Sequence, residues 1–226
     1  SKKYAPIAAS KGCIVVDNSS AFRMDDDVPL VVPEVNPEEI ANNNGIIANP
    51  NCSTIQAVVP LKPLDDKYTI KRIVYSTHQA VSGAGRDGIS DLENGIQNYV
   101  NSDESTDIQN SNMFKISYEL KKFNYPIFSN CLPHIDVFLD NGYTKEEEKM
   151  INETRKILKK PNLKITATTV RVPVFNSHSE SINVEFENEF DLKELVNTLT
   201  SFPGIVVEDN LVLSDNPKAV DKPMYP

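Results

Sequence analysis

Three short apolar runs crowd into the first fifty residues: "CIVVD" at 13–17, "PLVVPEVN" at 29–36 and "GIIAN" at 45–49. They are rich in β-branched residues and bounded by Gly, Pro, Asn or Asp. Each therefore predicts a strand, the first of them buried. Residues 1–11 predict the tail of a helix closed by Gly12. Helix and strand joined by short connections is the pattern of an α/β domain. No Gly-rich loop follows an opening strand, so the dinucleotide-binding fingerprint is missing from this stretch.

The pattern changes after residue 51. "STIQAVVPLKPL" begins as an apolar helix, with Ser53 and Thr54 in its first turn. "TIKRIVYSTHQAVSG" (69–83) alternates and predicts a long strand. "GISDLENGIQNYV" (88–100) predicts a helix, and the polar "NSDESTDIQNSN" (101–112) a surface loop or mobile insert. In "KEEEKMINETRKILKK" (145–160), Met150, Ile151, Ile157 and Leu158 fall on one side of a helix, with charge elsewhere. "KITATTVRVPVFNSHSESINVEFE" (164–187) predicts two strands joined at "FNSHSE". "DLKELVNTLTSF" (191–202) predicts a helix capped by Asp191 and stopped by Pro203-Gly204. Strands separated by single helices without strict alternation predict an α+β second domain. The expected division is 1–51 and 52–226.

With 226 residues the chain can bury a substantial core. A net charge of -9 argues against electrostatic nucleic-acid binding, which needs clustered Lys and Arg. No apolar run approaches the roughly 20 residues of a membrane helix, and no apolar signal region follows Ser1-Lys2-Lys3-Tyr4. Three widely spaced cysteines with no CxxC suggest neither a zinc site nor a disulfide framework, so a reduced, cytosolic protein without bound metal is expected. Cys13, inside a predicted strand, and Cys131, in "SNCLPH", are expected to be buried, inert thiols.

Cys52 differs in its setting, "ANPNCST". The residue before a proline is pushed out of the helical region, so Asn49-Pro50 predicts a turn. Asn51 is a good N-cap, which makes Cys52 the first helical residue. The unpaired N–H groups and macrodipole at such an end favour a thiolate. A histidine nearby would complete a nucleophile and base. Local pattern alone does not separate this reading from a buried thiol. Further along, Gln79 is expected at a strand end, before the Gly-rich turn "SGAG". Arg171, Pro173 and Phe175 are expected on one strand face, with His178 in the turn that follows.

Taken together and in this order, "NPNCST", "HQAVSGAG", "EEEKM..ETRKIL" and "RVPVFNSHSE" resemble the aspartate-β-semialdehyde dehydrogenase family. The resemblance covers essentially the whole chain. It lacks the family's opening Gly-rich NADP phosphate loop and its C-terminal segment, so an internal section of a longer enzyme is expected. The implied fold is a partial Rossmann-type domain followed by an α+β catalytic and dimerisation domain with a large mixed sheet. The implied reaction is the reversible, NADP-dependent reductive dephosphorylation of L-aspartyl-4-phosphate, through a thioester on Cys52. His178 matches the general acid/base and Gln79 a residue that orients substrate and intermediate. Arg171 matches the clamp on the substrate carboxylate. Glu146 matches the partner of the substrate ammonium and Lys149 a group on the phosphate side. Arg23 and Asn51 match phosphate-binding positions, and Ser82, Gly83 and Gly85 the loop near the nicotinamide end of NADP. A homodimer or homotetramer is implied. His78 is expected to pack and His134 to sit in a structural turn. The rival readings are a related acyl-phosphate reductase acting on an N-acetylated glutamyl phosphate, and a non-catalytic fragment of the parent.

Overall fold

A computed structural model describes residues 1–101 and 118–208. The predicted loop at 101–112 lies, apart from its first residue, outside them. The chain divides into two compact units. Of the described residues, one comprises 1–75, 146–167 and 181–208; the other comprises 76–101, 118–145 and 168–180.

In the first unit, helix α1 (Ala5–Ala9) ends shortly before Gly12, which takes φ +83°. Strands β1 (Val15–Asp17) and β2 (Ile46–Ala48) pair in parallel, Val15 opposite Ile46 and Asp17 opposite Ala48. The first run is buried on one face only: Ile14 and Val16 are exposed. Apolar composition does not reveal how many faces of a strand are covered. Cys13 and Cys131 are also exposed, against the expected burial. The run 29–36 is not a strand. Leu30 makes a single parallel bridge to Ala48, and then Pro33, lacking an N–H, cannot extend the ladder. Asn36 folds the chain back instead, accepting from Val32 N at 2.8 Å and donating to the Leu30 carbonyl at 2.9 Å. Leu30, Val32, Val35, Ala48, Val58 and Ile157 form the core here. Each of these valine, leucine and isoleucine side chains contributes about 1.5–3 kcal/mol on burial.

Helix α2 (Cys52–Tyr68) continues through Pro60 and Pro63. An interior proline costs roughly 3 kcal/mol. Burial of Ala57, Val58, Leu61, Leu64 and Tyr68 offsets that cost. Helix α4 (Lys145–Ile157) buries Met150, Ile151 and Ile157 as its pattern predicts, with Leu158 half-buried just past its end. It also buries Glu146, Glu147 and Glu153, against the expectation that its charge faces elsewhere.

Strands β3 (Ile70–Gln79), β4 (Lys164–Arg171) and β5 (Ser179–Phe186) form a sheet in the order β4-β3-β5. Asp191 caps helix α5 (Leu192–Thr200) by accepting from Glu194 N at 2.9 Å. Gly204, at φ +83°, follows the expected stop.

In the second unit, Val172 N donates to the Gln79 carbonyl at 3.0 Å, so the C-terminal ends of β3 and β4 lie side by side. Helix α3 (Arg86–Asn101) packs on Val81, Ile127 and Leu132. Its fully buried Asp91 accepts three backbone N–H groups, from Lys121, Lys122 and Phe123, at 2.8–3.0 Å. Besides the burial of Cys131, two expectations fail in this unit. β4 stops at Arg171, leaving Pro173 and Phe175 exposed, and His78 is exposed rather than packed. His134 is exposed too, its ring 4.5 Å from that of Phe138.

The fold is thus α/β followed by α+β. Among the described residues no helix is long and apolar enough to cross a membrane.

Candidate active site

In the first unit the candidate residues gather around the start of α2. Asn51 is extended (φ -61°, ψ 144°), as the sequence predicts, and its Oδ1 accepts from Ser53 N at 3.0 Å and Thr54 N at 3.3 Å. That cap satisfies two of the donors a helix start leaves open. Cys52 is the first helical residue and is exposed, between the buried Asn51 and Ser53. It is therefore not the buried cap residue that the local pattern also allowed.

Asn51 is held by two glutamates of α4. Its Nδ2 donates to Glu146 Oε1 at 2.9 Å, and its backbone N donates to Glu153 Oε2 at 2.6 Å. Lys149 donates to the other Glu146 oxygen at 3.2 Å, so the pair three residues apart is a partly buried ion pair. Arg23 is 8% exposed. Its Nη1 donates to Glu153 Oε1 at 3.1 Å and its Nη2 to the Asn18 carbonyl at 3.0 Å. Its buried Nε has no partner among the described residues. Burial raises the Glu153 carboxyl above its usual pKa, and the Asn51 N–H and the Arg23 charge pull it back. Lys156, in the last turn of α4, donates to the carbonyls of Arg23, Asp25 and Val28 at 2.7–3.0 Å.

In the second unit the candidates gather around the backbone of one residue, Ala80. Its N–H donates to His178 Nδ1 at 3.0 Å, and its carbonyl accepts from Arg171 Nη1 at 2.6 Å and from Gly83 N at 3.2 Å. A neutral imidazole that accepts at Nδ1 carries its proton on Nε2. Ser177, at φ +71°, turns the chain immediately before the buried His178. Arg171 is buried, not a surface strand residue. Gln79, 1% exposed at the end of β3, donates to Thr77 Oγ1 at 3.4 Å. Ser82 and Gly83 lie in a short 3₁₀ turn, Val81–Ala84, followed by Gly85 at φ +82°. A Cβ on Gly83 would sit 2.9 Å from His178 Cε1 and 3.0 Å from Arg171 Nη1, so the backbone is pressed against both. A Cβ on Gly85 would meet open space. The turn is thus crowded at Gly83 and open at Gly85, where a bare backbone allows close approach of a ligand.

Sequence reasoning missed Glu153, Ala80 and Glu180. All three lie inside the motifs that carry the resemblance, "ETRKIL", "HQAVSGAG" and "RVPVFNSHSE", but none of them carried an expected role. Glu180, two residues past His178, has both carboxylate oxygens buried with no hydrogen-bond partner. Burial raises its pKa from 4.5 to about 8. Between those values the carboxyl is protonated in the fold and ionised in the unfolded chain, so stability falls as pH rises through the window. Glu180→Gln is expected to raise stability by about 2–4 kcal/mol at pH 8.5 and leave it unchanged at pH 4. Urea-unfolding midpoints at the two pH values measure this; an equal shift at both would refute it.

A family model described as the semialdehyde dehydrogenase dimerisation domain matches residues 61–222, and one described as the NAD binding domain of semialdehyde dehydrogenase matches residues 1–43. The chain belongs to the semialdehyde dehydrogenase family. An aspartate-semialdehyde dehydrogenase of Aquifex aeolicus is 53% identical over 212 residues, covering 93% of this chain and 59% of that protein. One from Bacillus subtilis is 44% identical over 211 residues, again covering 93% of the chain and 59% of the relative. This semialdehyde dehydrogenase chain thus spans about three-fifths of the length of the curated relatives it matches. A crystal structure of aspartate semialdehyde dehydrogenase II of Vibrio cholerae, complexed with ASA, superposes with a TM-score of 0.81 at 46% identity, covering 90% of this chain and 57% of the other. The Candida albicans enzyme, crystallised with NADP, gives 0.59 at 27% identity, covering 86% and 50%.

Proposed function

We propose that the full-length protein carrying this chain is an NADP-dependent aspartate-semialdehyde dehydrogenase. It would convert L-aspartyl-4-phosphate reversibly to L-aspartate-4-semialdehyde, on the route to lysine, threonine and methionine. The observation that carries this reading is the exposed Cys52 at the capped start of a 17-residue helix, tied through Asn51 to Glu146 and Glu153. An exposed thiol at that end of a helix is placed to act as a thiolate.

In the biosynthetic direction, Cys52 Sγ attacks the acyl carbon. A C–S bond forms, the C–O bond to phosphate breaks, and phosphate leaves. NADP, when bound in its reduced form, supplies the hydride that reduces the thioester. The C–S bond then breaks, and aldehyde and thiolate are released. Negative charge gathers on the former carbonyl oxygen, and a donor set in advance stabilises it. His178, with its ring proton on Nε2, is the residue assigned to share a proton with that oxygen. Gln79, buried at the strand end, orients the intermediate.

Arg171 is assigned to the substrate α-carboxylate, since a guanidinium matches a planar carboxylate. Glu146 is assigned to the substrate ammonium, and Lys149, Arg23 and Asn51 to phosphate. The orphaned Nε of Arg23 supports an anion there, because a buried donor without a partner costs about 1–3 kcal/mol until something accepts from it. Ser82, Gly83 and Gly85 are assigned to the nicotinamide end of NADP, which the bare backbone at Gly85 fits.

The same reading divides the chain into a nucleotide-binding part, 1–51, and a catalytic and dimerisation part, 52–226. A homodimer or homotetramer in the cytoplasm follows from it; the absence of a disulfide among the described residues is consistent with a reducing compartment.

Turnover of the full-length protein tests the assignment. Phosphate-dependent oxidation of aspartate semialdehyde by NADP is expected, with at least about 100-fold lower kcat/KM on the N-acetylated glutamate semialdehyde. Buried groups built for an ammonium and a carboxylate are left unpaired by the wrong substrate. The reverse preference would mean that the protein is the related reductase.

A further inference from the structure

Glu153 is the most deeply placed charge of its unit, 1% exposed, and both of its oxygens are used. Oε1 takes the guanidinium of Arg23 at 3.1 Å; Oε2 takes the peptide N–H of Asn51 at 2.6 Å. Those partners are 130 and 102 residues away along the chain. One belongs to the loop after β1 and the other immediately precedes Cys52.

We propose that Glu153 is a positioning residue that sets two functional groups with one carboxylate: the Arg23 guanidinium for an incoming phosphate, and the Asn51 peptide from which Cys52 projects. The inference rests on the reading of Cys52 as nucleophile and of Arg23 as a phosphate cation. Glu153 touches neither substrate nor reacting atoms in that scheme. It acts by fixing which way the guanidinium fork faces. With Nη1 on Glu153 and Nη2 on the Asn18 carbonyl, the donors left to an anion are the buried Nε–H and the remaining N–H of each terminal nitrogen. A charge-assisted pair also gives more directional restraint than a neutral one. Glutamine cannot replace the carboxylate, because its amide group must turn a donor toward Asn51 N–H or toward the guanidinium. Aspartate, one methylene shorter, can reach only one of the two partners.

The test uses the full-length protein with Glu153→Gln, and Glu153→Asp should the first fail to fold. Three quantities are read: KM for phosphate, KM for the aldehyde, and the phosphate concentration that half-protects Cys52 from iodoacetamide, followed on the Cys52 peptide by mass spectrometry. The phosphate KM and the half-protection concentration are both expected to rise about tenfold or more. The aldehyde KM is expected to change less than about threefold. In an Arg23→Ala background the same substitution is expected to raise the phosphate constants less than about twofold, because the route through Arg23 is already cut.

A lowered melting temperature with phosphate constants unchanged would overturn the proposal, since Glu153 would then be structural only. Equal losses with and without Arg23 would overturn it as well. If no aldehyde is turned over but phosphate still protects Cys52 in a Glu153-dependent way, the positioning role stands and the reaction assignment fails.

Discussion

Cys52→Ser in the full-length protein is expected to lower kcat for phosphate-dependent aldehyde oxidation by at least about 10⁴-fold, in line with the loss seen when a covalent nucleophile is removed. The argument has two parts. A serine hydroxyl near its ordinary pKa is almost wholly protonated at neutral pH, and a helix start does not change that enough to matter. A thiol begins within a few pH units of ionisation, so the same partial positive charge has a large effect on it. Folding should hardly notice. Cys52 is exposed, and serine is well accommodated in a first helical turn, so stability should change by less than about 0.5 kcal/mol. Steady-state kinetics alongside a urea melt separate the two outcomes. A serine variant that keeps even a hundredth of its turnover would remove Cys52 from the chemistry.

The second large effect is expected from a single methyl group. In Gly83→Ala the new Cβ would sit 2.9 Å from His178 Cε1 and 3.2 Å from its Nε2, as well as 3.0 Å from Arg171 Nη1. These are side-chain atoms, so they can move aside and the stability cost stays small. Moving them is the damage. An imidazole and a guanidinium displaced by several tenths of an ångström lose their aim, and misplacement approaching 1 Å costs about 100-fold in rate. A loss of kcat/KM of that order is expected, with the melting temperature nearly unchanged. If Gly83→Ala leaves the kinetics intact, the Ala80-centred cluster does not hold the reacting groups.

What the sequence announced was local. Asn51 as a cap, Cys52 as the first helical residue, Gln79 at a strand end and the apolar stripe of α4 all depend on near neighbours or on a short period, and all are where the pattern places them. What it concealed depends on partners far along the chain. Glu153 reads as one more charge on a Lys- and Glu-rich helix, because nothing nearby says that Arg23 and Asn51 will meet it. Ala80 has no side-chain chemistry to notice; its importance lies in a backbone N–H that serves His178 and a carbonyl that serves Arg171. The apolar run at 13–17 suggested more burial than occurs, since β-branched content reports strand preference but not what covers each face. The run at 29–36 failed as a strand for a reason visible in advance, the missing donor at Pro33. Site roles came from several motifs arriving in one order, which is a statement about ancestry and not about any single spacing.

Lys156 grips the loop that carries Arg23 by its carbonyls alone, at Arg23, Asp25 and Val28. Every residue has a carbonyl, so this grip is blind to the identity of the side chains it spans. Met24, Asp25, Asp26 and Asp27 all face solvent. The stretch can therefore accumulate substitutions over evolutionary time without releasing the arginine at its edge. The ammonium itself has no such latitude: three acceptors converge on one nitrogen, a geometry that the flat fork of an arginine does not reproduce. Drift in the loop is underwritten by constancy at a position in a different part of the chain.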